Sequence, residues 1–135
     1  MISLGFKVSV EINAGASSSY YDEDYKKMGC EIVKSQKTLL SNADLVFSIV
    51  RPGVKVLKLL KKSAILICQM EAHINPNEIK ECADMGITSF ALEQVPRISR
   101  AQSMDVLSSQ SNLAGYRAVI EASQIYRKAF PMMMT

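Results

Sequence analysis

Two short apolar runs flanking one amphipathic stretch constrain this chain more than any other feature. Asp44-Leu45-Val46-Phe47-Ser48-Ile49-Val50 ends at Arg51-Pro52-Gly53, and Ala64-Ile65-Leu66-Ile67-Cys68 follows a helix-spaced stretch over residues 54–62. Runs of that length, β-branched and nearly uncharged, suit strands covered on both faces. Strands joined through a helix pair in parallel by right-handed crossovers, with helices on the faces of the sheet.

The remainder extends the alternation. Residues 6–10 alternate apolar and polar side chains, as a strand does, and the small polar residues 13–19 read as a loop in which the lone Gly15 marks a turn. Residues 22–28 predict a short helix, acidic at its start and basic at its end, closed by Gly29; residues 31–33 are a minimal strand. Ser35 is placed to cap a helix over residues 35–43, and Asn75-Pro76 opens another that Gly86 closes. Residues 87–92 form a third β-rich run. A long helix is predicted over residues 108–129, stopped by Pro131. Its apolar surface is wide, with Val119, Ala122 and Tyr126 on one stripe and Leu113, Tyr116 and Ile120 on the next. Gly115 inside it suggests a close helix–helix approach. The expected fold is α/β: a Rossmann-like or flavodoxin-like parallel sheet of about four strands with flanking helices and a long C-terminal helix. Residues 1–135 are expected to form a single domain.

Composition narrows the function classes. At 48% hydrophobic and 21% charged, the 135-residue chain can bury a core, and its net charge of +3 is too mild for a nucleic-acid binder. Charged or polar residues interrupt every apolar stretch well before about 18 residues, so no membrane insertion is expected. Cys30, Cys68 and Cys82 lack metal-ligand or disulfide-framework spacing, and the single His73 allows no His-rich metal site. No metal is expected, and reduced thiols with no leader-like start point to a cytoplasmic location. Asp22, Glu23 and Asp24 read as a solvated first helical turn, and Lys61-Lys62 as a solvated face. Met132-Met133-Met134 fits either a docking stretch or packing against further polypeptide.

One segment is dense in chemistry. Arg97-Ile98-Ser99-Arg100-Ala101-Gln102-Ser103-Met104-Asp105 brings guanidinium forks, an amide, a carboxylate and hydroxyls together beyond the third β-rich run. Arg suits phosphate or a carboxamide oxygen, and Gln102 both donates and accepts. Asp105 could hold an Arg in place or accept from an amide. A capped helix start with a surface ion pair explains the same residues. No GxGxxG, Walker A or GxSxG pattern occurs.

Continued through Val106-Leu107-Ser108-Ser109-Gln110-Ser111-Asn112-Leu113-Ala114-Gly115-Tyr116-Arg117-Ala118-Val119, this segment closely resembles the NAD(H)-binding domain of the proton-translocating nicotinamide nucleotide transhydrogenases, a component of the alpha subunit in bacteria. Phe130-Pro131-Met132-Met133-Met134-Thr135 continues the likeness. Gly5-Phe6-Lys7-Val8-Ser9-Val10-Glu11 and Ala43-Asp44-Leu45-Val46 carry it more loosely upstream.

The resemblance implies that Arg97, Gln102 and Asp105 lie over the nicotinamide of NAD(H), with Ser108 near the carboxamide. Gln102 and Asp105 are then the catalytic candidates, and Arg97, Gln102, Asp105 and Ser108 the cofactor-binding set. It also implies hydride transfer to NADP(H) on a partner domain, coupled to proton movement by a membrane domain. The implied partners are a Rossmann half, the NADP(H)-binding domain and the membrane domain, at a site peripheral to the inner membrane; the wide apolar surface of the long helix separately predicts a homodimer. Against the family pattern, the chain is expected to be a truncated first subdomain, without the family's leading strand and helix or its glycine-rich Rossmann half. The alternative is a non-catalytic remnant that folds and self-associates without binding nucleotide tightly. Alanine dehydrogenases share the subdomain but place a catalytic His where this chain has Gln69. An amide cannot act as an acid or base, which sets that activity aside.

Overall fold

A computed structural model describes residues 1–131; the Met132-Met133-Met134 run lies outside the described residues. Two compact units divide the chain, Met1–Ala91 and Leu92–Thr135. The first is built from β1 (Ser9–Glu11), α1 (Asp22–Lys27), β2 (Glu31–Val33), α2 (Gln36–Asn42), β3 (Leu45–Val50), α3 (Val54–Leu57), β4 (Ile65–Gln69), α4 (Pro76–Asp84) and β5 (Thr88–Ala91). The second holds 3-10 turns at Leu92–Gln94 and Ser99–Met104 and the long helix α5 (Val106–Ile125).

Local chemistry sets most boundaries. The Thr38 N–H donates to Ser35 Oγ at the start of α2 (3.3 Å), the cap expected of Ser35. At α1 the acidic turn does more than meet solvent: Tyr21 N–H donates to Asp24 Oδ2 (3.2 Å) and Asn13 N–H to Asp22 Oδ1 (2.8 Å). Gly29 and Gly86 sit at φ 88° and 71° after α1 and α4, where a side chain would be strained. Gly15 is tight for another reason, because an added Cβ would fall 2.7 Å from the Tyr20 carbonyl oxygen.

All strand pairs are parallel, but the five strands form two sheets, β1-β2 and β3-β4-β5. The register aligns Phe47 with Ile67 and Ile67 with Phe90. On one face Leu66 and Cys68 of β4 pack with Leu57 of α3 and Cys82 of α4, with Val46 and Ala91 at the margins.

The other face corrects the expectation of strands covered on both sides. Phe47 is 60% exposed, Phe90 56% and Ile49 83%. β3 is paired on one side only, and among the described residues nothing covers the Phe47–Ile67–Phe90 row as α3 and α4 cover its opposite. The predicted helix over residues 54–62 shortens to Val54–Leu57, with Lys61 leaving the helix to pair with Asp44 at 2.7 Å.

α5 begins earlier and ends earlier than the sequence suggests, at Val106 and Ile125. It stops well before Pro131, where Tyr126 turns extended and its ring stacks on Phe130 at 5.0 Å. The helix is unbroken at Gly115, and an added Cβ there would meet nothing within 4 Å. No close approach accounts for that glycine among the described residues.

Leu66 is fully buried in the central strand of the larger sheet. Leu66→Ala should lower unfolding free energy by about 2–5 kcal/mol. Urea denaturation followed by circular dichroism checks this. A loss under about 1 kcal/mol would mean the site collapses around the cavity.

Candidate functional site

The Arg97–Ser108 segment folds as a 3-10 turn leading into α5, and the chemistry of its residues separates there. Asp105 is buried and is the N-cap of α5. Its Oδ1 accepts the Ser108 N–H at 3.1 Å, and its Oδ2 accepts the Ser108 hydroxyl at 2.6 Å. Both carboxylate oxygens are therefore occupied by one residue a single helical turn ahead.

These bonds hold the Asp105 carboxyl below its ordinary pKa. The Ser108 hydroxyl contributes most, then the Ser108 backbone N–H, with smaller help from the Leu107 N–H and the Arg97 charge; burial opposes them. All the favourable partners stabilise the charged form. The negative charge also sits where the helix dipole favours it.

Arg97 and Gln102 are arranged differently. Both are exposed. Among the described residues neither side chain forms a hydrogen bond or ion pair; Arg97 acts on Asp105 only through its charge. The Arg97–Asp105 ion pair that the sequence allows does not form; Asp105 bonds to Ser108 instead. The structure thus brings Asp105 and Ser108 into contact and leaves Arg97 and Gln102 as solvent-facing donors. A carboxamide, a phosphate or a ribose hydroxyl matches what those two side chains offer.

A separate feature belongs to the first unit. A cleft of about 140 Å³ opens at the carboxyl ends of β3 and β4, lined by Val50, Arg51, Gln69, Met70, Glu71 and Glu78. The Arg51 side chain is only 9% exposed. Its Nε donates to Glu78 Oε2 at 2.7 Å, Nη2 lies 2.6 Å from the same oxygen, and Nη1 lies 3.7 Å from Glu81 Oε2. The sequence marks Arg51-Pro52-Gly53 as a strand end but carries no signal that pairs it with carboxylates on α4. Gln69 lines this cleft.

Comparison with known proteins places these features in a family context. The alanine dehydrogenase/PNT N-terminal domain family matches residues 1–114. The chain is 44% identical over 140 residues to the first segment of the divided NAD(P) transhydrogenase alpha subunit of Rhodospirillum rubrum, covering 100% of this chain and 36% of that protein. It is 42% identical over 139 residues to the Rickettsia prowazekii protein of the same description, again 100% of this chain and 36% of the relative. The crystal structure of transhydrogenase from Sinorhizobium meliloti matches with a TM-score of 0.91 at 44% identity, over 99% of this chain and 40% of that one. The chain spans little more than a third of the length of these two curated relatives, 36% of each.

The Asp105 cap predicts a pH dependence. Its folded pKa is lowered, so its stabilising contribution is complete above the unfolded carboxylate range, about pH 4, and is lost as pH falls through the lower folded value. Ser108→Ala removes the largest cause and should raise the Asp105 pKa toward its ordinary value while the backbone bond remains. Carbon-13 NMR titration of the carboxyl checks this; an unmoved titration would show that the hydroxyl is not the determinant.

Proposed function

The chain belongs to the alanine dehydrogenase/PNT N-terminal domain family, and from that membership we propose that it forms the opening section of an NAD(P) transhydrogenase alpha chain, supplying the nicotinamide end of an NAD(H) site. The supporting observation is the division of labour around Asp105. The carboxylate is ionised and committed to Ser108, while Arg97 and Gln102 remain open to a ligand.

That arrangement suits hydride transfer better than chemistry requiring a proton. NAD(H), when bound, supplies or accepts the hydride, exchanged with NADP(H) on a partner domain. Residues 97–108 include no His, Lys or Cys, and Asp105 is held in its charged form. Gln69 replaces the imidazole that amine oxidation needs. What remains for these residues is orientation and exclusion of water. Arg97 grips an anionic or amide oxygen, Gln102 aligns the ring it touches, and the Asp105–Ser108 cap fixes where the helix begins.

The reading also assigns partners: a Rossmann half, the NADP(H)-binding domain and a membrane domain that couples transfer to proton movement. Among the described residues no helix is long and apolar enough to cross a membrane, which fits a component placed at the cytoplasmic side of the inner membrane. α5 buries no residue, and Leu113, Tyr116, Val119 and Ile125 are exposed along it. We read that surface as one a homodimer covers, because contiguous exposed apolar residues mark association sites. Sedimentation should show a concentration-dependent dimer; a monomer at high concentration removes this element.

Alone, the chain should bind NADH more weakly than about millimolar, because gripping one end of a flexible cofactor forfeits most of its contacts. Micromolar binding in calorimetry would overturn that expectation. Reconstituted with the other transhydrogenase domains, Gln102→Ala should lower the hydride-transfer rate at least about tenfold while changing NADH affinity less than about threefold. An unchanged rate would remove Gln102 from the site.

A further inference from the structure

Charge is unevenly spread along this chain. Residues 45–70 hold five Lys or Arg and no Asp or Glu, while the remainder sets eleven Lys or Arg against all thirteen Asp and Glu. The structure separates the five. Arg51 is largely buried and held by Glu78. Lys61 bonds to Asp44 at 2.7 Å. Lys55, Lys58 and Lys62 are exposed, and among the described residues none of them forms an ion pair.

The packing of α3 brings these three lysines together. Lys58 N–H donates to the Val54 carbonyl at 3.1 Å. Leu59 N–H and Leu60 N–H donate to the Val56 and Leu57 carbonyls, each at 3.0 Å, so turn-type bonds carry the winding on to Leu60. Leu57 is buried in the core cluster and Leu60 packs against it. Lys55 and Lys58, three residues apart, share the solvent side of that winding. Lys62 stands in the exposed turn that follows. The two leucines thus anchor a cationic ridge to the core of the first unit.

The composition of the ridge selects its partner. Residues 52–63 contain no Arg and no aromatic residue. Protein interfaces draw most of their energy from Trp, Tyr and Arg anchors. Nucleic acid is gripped by Arg forks and by aromatic rings on which bases stack. A lysine ammonium is a compact point charge on a flexible stem. Lysines alone suit a surface whose negative charge is dense but has no fixed geometry, as anionic lipid headgroups present.

We propose that Lys55, Lys58 and Lys62 dock the first unit on an anionic bilayer, at the level of the headgroups and without insertion. Val54, Val56, Leu59 and Leu60 are half-buried, so the contact is electrostatic and sensitive to salt. The proposal goes beyond the NAD(H) reading and does not rest on it; neither nucleotide nor another subunit enters its test.

The test is co-sedimentation of the full chain with vesicles at about 20 mM salt, where the Debye length is about 20 Å. The chain should sediment with phosphatidylglycerol vesicles and not with phosphatidylcholine vesicles, and about 0.5 M potassium chloride should release it. The triple variant Lys55→Gln, Lys58→Gln, Lys62→Gln should lower the affinity for phosphatidylglycerol at least about tenfold, since each lysine near such a surface contributes about fivefold. Lys34→Gln, Lys37→Gln, Lys80→Gln removes the same charge at exposed positions away from the ridge and should change the affinity less than about threefold. Should the first triple variant fail to fold, Lys58→Gln alone should lower the affinity about fivefold. No binding to phosphatidylglycerol overturns the proposal, and so does equal binding to phosphatidylcholine, which would assign the contact to apolar surface. Equal loss in the two triple variants would leave only net charge as the cause and overturns it too. Tighter capture by polyglutamate or duplex DNA at the same negative charge, or release by inorganic phosphate at matched ionic strength, would give the ridge a different partner and overturn it.

Discussion

β4 is the strand on which the first unit depends. It is hydrogen-bonded on both sides, and its Leu66 and Cys68 are fully buried. Because successive side chains alternate faces, those two residues determine which face of β3 and β5 joins the core and where α3 and α4 settle. The carboxyl end of β4 then carries Gln69 into the same cleft as Arg51. Arg51 ties the end of β3 to α4 through Glu78, with Glu81 nearby. A half-buried ion pair of this sort contributes modestly to net stability after desolvation, and losing Glu78 would strand the largely buried Arg51 charge. Its effect here is to fix the loop after β3 against α4.

Much of this can be read from local sequence. Ser35 before an amphipathic stretch, Asn75-Pro76, Gly29 and Gly86 announce helix ends through backbone geometry and capping, which operate over a few residues. The long apolar run at β3 misleads because hydrophobicity reports what a strand could bury, not what lies opposite. Phe47 and Phe90 look like core residues in sequence and are exposed in the structure. The length of α3 escapes the sequence for a related reason. Lys61 fits the helical spacing but leaves it to meet Asp44, a contact with a residue just ahead of β3.

The Arg97–Ser108 segment is legible as chemistry but not as geometry. Its donor density is plain from residues 97–108, yet the sequence offers Asp105 as a holder for Arg97. The spacing of Asp105 and Ser108 is that of an N-cap residue and the backbone N–H it accepts, and that signal places the start of α5 at Val106 rather than Ser108. The Arg51–Glu78–Glu81 cluster has no comparable signal, since its members lie on separate elements brought together by the sheet.

The cap also limits what portion of a dinucleotide this segment can serve. A free helix N-terminus attracts phosphate because its N–H groups and dipole are unsatisfied. At α5 that position already holds the Asp105 carboxylate, which accepts the Ser108 N–H and carries its own negative charge. A pyrophosphate brought there would meet like charge and would have to displace an existing bond. On the proposed reading, the segment is therefore suited to the uncharged carboxamide and ribose end, with Arg97 and Gln102 as its open donors. The phosphates would require another helix start, and on that proposal the same carboxylate that stabilises α5 would direct the nicotinamide end of the cofactor toward this segment.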